Sequence, residues 1–164
     1  MPSEKARGWT SGAGGVVLLA IALGSVVGAG LFLIDHSNAS SYMSNDPDSC
    51  VNCHIMRTEH DAWTHSSHHA VAVCNDCHVP QDTIGKYTMK AVHGFRHSKG
   101  FTLQDFHEPI MIKADSLKVV EANCLRCHSD ITSQINAHGF TAKPGDNSLS
   151  CVHCHSGVGH ATGK

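Results

Sequence analysis

The apolar and polar positions divide the chain into a short apolar block and a long polar remainder. No charged residue occurs from Gly8 to Ile34, and residues 16–34 are the most apolar part. As a helix that part would measure roughly 28 Å, enough to span the hydrocarbon core of a bilayer. A secretory signal core usually has only about 7 to 15 residues. The pattern therefore predicts a transmembrane helix at 16–34, with a cleaved signal peptide as the alternative.

The charges beside this block predict its orientation. Lys5 and Arg7 precede it and Asp35 follows it. Because positive charge favours the cytoplasmic side, we expect a cytoplasmic N-terminus and an exported remainder. The predicted organisation is a cytoplasmic N-terminus with the start of the anchor (1–15), the membrane helix (16–34), a connector (35–49) and an exported domain (50–164). In a bacterium this is a single-pass protein of the inner membrane with a periplasmic domain.

The polar remainder has little regular periodicity. Apolar residues recur with helical spacing over Ile110–Asn123, and a second short helix is predicted over Thr83–His97. The connector is predicted to be a loop or short turn, and 139–150, with its proline and glycine, a loop. No segment alternates with the period of two typical of a strand. The fold is therefore predicted to be mostly α with much irregular chain.

The composition leaves too few large side chains for an ordinary core. The 164 residues include five Phe, two Trp and two Tyr, against fifteen His. A domain of this size needs more buried apolar surface than these supply, so something else must fill its interior. The formal charge of -2 shows no basic excess, which argues against a nucleic-acid partner.

All eight cysteines lie in four Cys-x-x-Cys-His motifs. The motifs are Cys50, Cys53 and His54; Cys74, Cys77 and His78; Cys124, Cys127 and His128; and Cys151, Cys154 and His155. Two thiols at this spacing form thioethers with the vinyl groups of one porphyrin, and the histidine reaches its iron. Zinc held by two pairs and redox disulfides are the alternatives, but neither requires the histidine. The motifs predict four covalently attached heme c groups, around which the small exported domain is organised.

A low-spin heme takes a second strong iron ligand, usually His or Met. The expected motif ligands are His78, His128 and His155, and the expected distal ligands are His68, His107 and His160, with His69 and His138 as substitutes. For each distal histidine, a solvated or hydrogen-bonded side chain is the alternative. The first motif continues to Met56, which is either a ligand or a gap-filling side chain.

These motifs and their flanking residues resemble the NapC/NirT/NrfH family of membrane-anchored tetraheme quinol dehydrogenases. The resemblance is nearest to members that form the small subunit of cytochrome c nitrite reductase. Its most specific elements are Cys50 to Met56, Ser66-Ser67-His68 ahead of the second motif, Lys90-Ala91 with Gly94 and His97, and Asn123-Cys124.

The resemblance implies roles for particular residues. Met56 rather than His54 is expected to ligate the first heme, and Lys90 to lie in a quinol pocket beside it. Some family members have an aspartate where this chain has His97. His97 is therefore expected to ligate the first iron, or else His97 or His93 accepts a proton from the quinol. From the residues alone, Lys90 is equally a surface charge facing lipid headgroups.

The function implied by the resemblance is menaquinol oxidation at the bilayer. The electrons are expected to pass to a periplasmic multiheme nitrite reductase that forms ammonia. One alternative is the same quinol step feeding another periplasmic reductase, such as nitrate reductase. Others are a tethered electron shuttle without a quinol site and an enzyme that reduces a small molecule at an open heme.

Overall fold

The computed structural model describes the backbone of residues 4–137 and 150–160 and the side chains of residues 12–134 and 150–160. The chain divides into two compact units, Met1–Ser40 and Ser41–Lys164, which are described separately. The regular elements of the described residues are helices, with no strand among them. The prediction of a mostly α fold with much irregular chain is confirmed.

The first unit contains one long apolar helix, α1 (Glu4–His36). Its segment Gly12–His36 has 25 residues and a mean hydropathy of 2.6, and none of it is buried. At 1.5 Å per residue the segment measures about 37 Å, so it is long and apolar enough to cross a membrane. The helix extends beyond the predicted 16–34 at both ends. At its C-terminal end, Ser37 donates hydrogen bonds to the Leu33 carbonyl from its amide (3.0 Å) and its hydroxyl (2.6 Å).

The second unit begins with three short 3-10 helices, Ala39–Met43 at its border, then Pro47–Asn52 and His54–Met56. The predicted connector is thus more regular than a loop. Proline fits the first position of a helix because it has no amide hydrogen to leave unpaired, and Pro47 stands there. The Asp46 carboxylate caps the same turn by accepting the amide hydrogen of Asp48 at 3.0 Å.

Five α-helices follow: α2 (Arg57–Thr64), α3 (Cys74–His78), α4 (Thr83–Leu103), α5 (Ala114–Ala137) and α6 (Cys151–Cys154). Helix α4 starts at the predicted residue, where the Asp82 carboxylate caps it by accepting the Gly85 amide hydrogen at 2.6 Å. A Cβ at Gly85 would lie 2.6 Å from Asp82 Oδ1, so a larger residue there would require the Asp82 side chain to shift. The helix continues past the predicted His97 and ends at Gln104, which has a left-handed φ of 55°.

The prediction of a helix over Ile110–Asn123 is wrong at both ends. Helix α5 begins at Ala114, with Asp115 in its first turn where negative charge is favoured, and runs through the third motif to Ala137. Ile110 and Ile112 are two residues apart and cannot share a helical face, so they did not indicate a helix. The helix bends at His128 (φ -110°, ψ 21°). The predicted loop at 139–150 lies outside the described residues except Ser150.

The second unit has almost no apolar core. Among the described residues Val79 is the only buried apolar side chain, with 2% exposure. The other buried residues are polar: Ser49, Ser116, Asn123 and Ser150. The expectation that side chains alone do not fill this interior agrees with the structure.

Candidate functional site

Each Cys-x-x-Cys pair lies in a helical turn. The second pair lies in α3, the third in α5 and the fourth in α6, while the first spans a 3-10 helix and its C-terminal cap. Residues three apart in such a turn share a face, so the two thiols of a motif point to the same side. No disulfide joins any of the eight cysteines. Among the described residues, no three His, Cys, Asp or Glu side chains are grouped so that they could hold a metal ion.

Three motif histidines stand where their helices end or bend. His78 is the last residue of α3, His128 occupies the bend of α5, and His155 follows α6 directly. Each imidazole can therefore depart from the helix direction beside the two thiols that precede it. Helix α3 is also capped locally, because the Asp76 carboxylate accepts the Val73 amide hydrogen at 2.9 Å.

The first and second motifs are in contact through their leading cysteines. A hydrogen bond between the Cys50 and Cys74 thiols lowers the pKa of Cys50 to about 7 and raises that of Cys74. Next to this contact, Asn75 Nδ2 donates to the Ser44 carbonyl at 3.2 Å and to Asn45 Oδ1 at 3.2 Å. The structure therefore places these two motifs side by side.

The second motif contacts the third through Asn123, the buried residue that precedes Cys124. Its Nδ2 donates to the Cys77 carbonyl at 3.0 Å and to the Val79 carbonyl at 2.9 Å. The third motif lies beside the fourth, because the helices that carry them, α5 and α6, are in contact. Burial, and then the Cys151 thiol, raise the pKa of Cys124 to about 11. The four motifs thus follow one another in space in their chain order.

Two motif histidines face a histidine from elsewhere in the chain. The ring centroids of His78 and His160 lie 6.0 Å apart with planes 12° from parallel, and those of His68 and His128 lie 6.1 Å apart at 70°. Two imidazoles bonded at about 2 Å to opposite sides of one metal ion have centroids roughly 6 Å apart. Burial and then His160 lower the pKa of His78 to about 4, which favours the neutral ring that binds metal. These pairs and the adjacent thiols fit the axial ligands and attachment points of heme c.

The Nδ1 atoms of His160 and His68 have different partners. His160 Nδ1 lies 2.6 Å from Glu59 Oε2 on α2. His68 Nδ1 lies 3.3 Å from the Ser67 hydroxyl. Sequence reasoning missed Glu59, because its only signal is a spatial contact with a residue far along the chain.

The structure does not bring the other predicted ligands into such pairs. His69 packs edge-on against Trp63, with centroids 4.7 Å apart. His107 and His155 are exposed, and no ring contact is seen for either within the part of the chain that the structure describes. Met56 is 37% exposed at the start of α2. His138 lies outside the described residues.

The three predicted quinol residues share one face of α4. Lys90, His93 and His97 are spaced by three and four residues, which aligns them along the helix. The Lys90 ammonium donates to the carbonyls of Tyr42, at 2.8 Å, and Ser44. Burial, and then the nearby Lys86, lower the pKa of Lys90. This lysine therefore joins α4 to the segment that leads into the first motif.

Other contacts extend this face toward the first motif on one side and α5 on the other. The Tyr42 hydroxyl lies 3.3 Å from Cys53 Sγ. The His93 and His97 rings are stacked 5.9 Å apart, and His93 Nε2 lies 3.2 Å from the hydroxyl of buried Ser116. Burial lowers the pKa of both histidines, so both rings are neutral near pH 7. Neutral imidazoles can accept protons.

Comparisons with known proteins match nearly the whole chain. A sequence model described as the NapC/NirT cytochrome c family, N-terminal region, matches residues 13–164. Cytochrome c-type protein NrfH of Wolinella succinogenes is 38% identical over 151 residues, covering 88% of this chain and 83% of that protein.

Two further matches concern cytochrome c nitrite reductase. Its NrfH subunit from Nitratidesulfovibrio vulgaris is 34% identical over 112 residues, covering 68% of this chain and 65% of that protein. A crystal structure of the NrfHA complex of cytochrome c nitrite reductase, bound to the inhibitor HQNO, contains a chain that is 28% identical. The TM-score is 0.57, with 89% of this chain and 87% of that chain covered.

Proposed function

The chain belongs to the NapC/NirT cytochrome c family, and on this premise we propose that it is a membrane-anchored menaquinol dehydrogenase. It carries four covalently attached hemes and passes electrons to a multiheme nitrite reductase that forms ammonia. The anchor lies in the bacterial inner membrane and the heme domain on the periplasmic side. The NrfH relatives and the NrfHA complex support the nitrite reductase as partner.

The observation that carries the proposal is the spatial order of the four motifs. The Cys50–Cys74 contact, the Asn123 hydrogen bonds and the proximity of Cys124 to Cys151 join the motifs in series. Lys90 reaches the segment leading into the first motif. A series of sites with a polar entry at one end fits a relay better than four isolated centres.

Heme c attached at these motifs supplies reversible one-electron transfer. We expect the cysteine pairs to hold each porphyrin. His78 with His160 and His128 with His68 would ligate the second and third irons, His155 the fourth and Met56 the first. These side chains would hold each iron in a fixed position relative to the chain.

The quinol is proposed to bind beside the first motif, against Lys90, His93 and His97. Two ammonium hydrogens of Lys90 are used by the carbonyls of Tyr42 and Ser44, which leaves the third for a quinol oxygen. The neutral rings of His93 and His97 can receive the protons that quinol oxidation releases.

Menaquinol titration of the purified full-length protein in liposomes tests the proposal. Heme absorbance should show reduction by menaquinol, and nitrite should reoxidise the hemes only when a multiheme nitrite reductase is added. HQNO should slow the reduction step. If dithionite reduces the hemes and menaquinol does not, the quinol site is wrong. Reoxidation by nitrate with a nitrate reductase, but not by nitrite with a nitrite reductase, would favour the alternative partner.

A further inference from the structure

Glu59 is the one carboxylate within hydrogen-bond distance of a paired histidine in the part of the chain that the structure describes. Its Oε2 lies 2.6 Å from His160 Nδ1, and the His160 ring faces that of His78 with planes 12° apart. Glu59 lies in the first turn of α2, directly after the first motif, whereas His160 follows the last motif. The contact thus joins a residue near the start of the second unit to one near its end, and it does so beside the motif histidine His78.

We infer that Glu59 is a positioning residue that holds the distal ligand of the second heme and lowers the reduction potential of that heme. The inference rests on the proposed His78–His160 ligand pair. A carboxylate that accepts the Nδ1 hydrogen keeps Nε2 free for the metal and makes the ring a stronger donor. Negative charge beside the ring stabilises ferric over ferrous iron, so the potential falls.

The second distal histidine provides an internal comparison. His68 Nδ1 faces the Ser67 hydroxyl at 3.3 Å, a longer contact with a neutral group. Hydrogen bonds to charged groups are roughly twice as strong as neutral ones. The second heme should therefore have a lower potential than the third for reasons of ligand hydrogen bonding alone.

The expected size follows from the exposure of the pair. The side chains of His160 and Glu59 are 44% and 35% exposed, so water screens part of the charge. Replacing a group that hydrogen-bonds a metal-bound histidine typically changes metal affinity or activity by about 10- to 100-fold. We expect the lower end, about tenfold in the redox equilibrium, which corresponds to a rise of about 59 mV when the charge is removed.

The test is a redox titration of the full-length protein carrying its hemes, combined with electron paramagnetic resonance. Nearly parallel imidazoles split the iron d orbitals and give a rhombic signal, whereas nearly perpendicular ones give a signal at larger g. The His78–His160 pair, with ring planes 12° apart, and the His68–His128 pair, with ring planes 70° apart, can therefore be followed separately. Glu59→Gln should raise the potential of the rhombic heme and leave the large-g heme unchanged. Asp61→Asn is the matched control, since it removes an exposed charge from the same helix.

Several outcomes would overturn the inference. One is the same reduction potential, in Glu59→Gln and in Asp61→Asn, for the heme that gives the rhombic signal. His160→Ala separates this from failure of the ligand pair: if the rhombic signal survives His160→Ala, the pair itself is wrong. If Glu59→Gln loses heme, redox-difference infrared spectroscopy of wild-type protein with labelled glutamate decides. A glutamate carboxylate band that shifts on oxidation supports the inference, and its absence overturns it.

Discussion

Replacing Asn123 tests whether the second and third motifs are held together by one buried amide. The Asn123 side chain is 8% exposed and donates to the Cys77 carbonyl at 3.0 Å and the Val79 carbonyl at 2.9 Å. In Asn123→Ala both hydrogen bonds are lost. The Val79 carbonyl keeps a second donor, Gln81 Nε2 at 3.0 Å, so losing its hydrogen bond from Asn123 costs about 1 kcal/mol. The Cys77 carbonyl loses its amide donor, at a further cost of about 1–3 kcal/mol.

The expected destabilisation is therefore about 2–4 kcal/mol. Asn123→Asp should cost at least as much, because it places an oxygen against two carbonyl oxygens. The assay is urea unfolding of the full-length protein with its hemes in detergent, followed by circular dichroism in the heme absorption band. The control is Asn52→Ala, which removes one exposed hydrogen bond, to the Ser41 hydroxyl (2.9 Å), and should cost less than about 1 kcal/mol. Equal urea midpoints for Asn123→Ala and Asn52→Ala would refute the reasoning.

Three further predictions concern the hemes and the quinol site. Lys90→Met should weaken menaquinol binding by about tenfold, which is the value of one charge-assisted hydrogen bond, whereas the control Lys86→Met should leave binding unchanged. Equal initial rates of menaquinol-dependent heme reduction in the two variants would contradict this prediction. Met56→Ala should alter the spectrum of one heme and slow its reduction by menaquinol, and unchanged spectra and turnover would remove Met56 from the mechanism. His68→Ala should abolish the large-g resonance assigned to the pair with His128 while the rhombic signal remains; loss of the rhombic signal instead would mean that the pairing is reversed.

Features that depend on neighbouring residues could be predicted from the sequence. The Cys-x-x-Cys-His motifs and the apolar run each lie within a few turns of chain, so spacing and composition are sufficient to recognise them. Helix α4 starts at the predicted residue, and its cap is local because Asp82 lies directly before it. The errors also had local causes, as for α5, where Ile110 and Ile112 were counted as one helical face. The scarcity of apolar core followed from composition and agrees with Val79 as the only buried apolar side chain described.

Features that depend on contacts between distant residues required the tertiary structure. The sequence supplied a surplus of histidines but could not show that His160 faces His78 and His68 faces His128. Asn123 lies 46 residues from Cys77 and Lys90 lies 48 residues from Tyr42, and no periodicity extends over such separations. Glu59 gave no sequence signal because its role depends on His160 alone. By itself the sequence predicted where hemes attach and determined which segment is apolar enough to anchor the chain. The order of the motifs in space and the partners of the distal histidines were decided by folding, because many pairings of eleven additional histidines satisfy the same local chemistry.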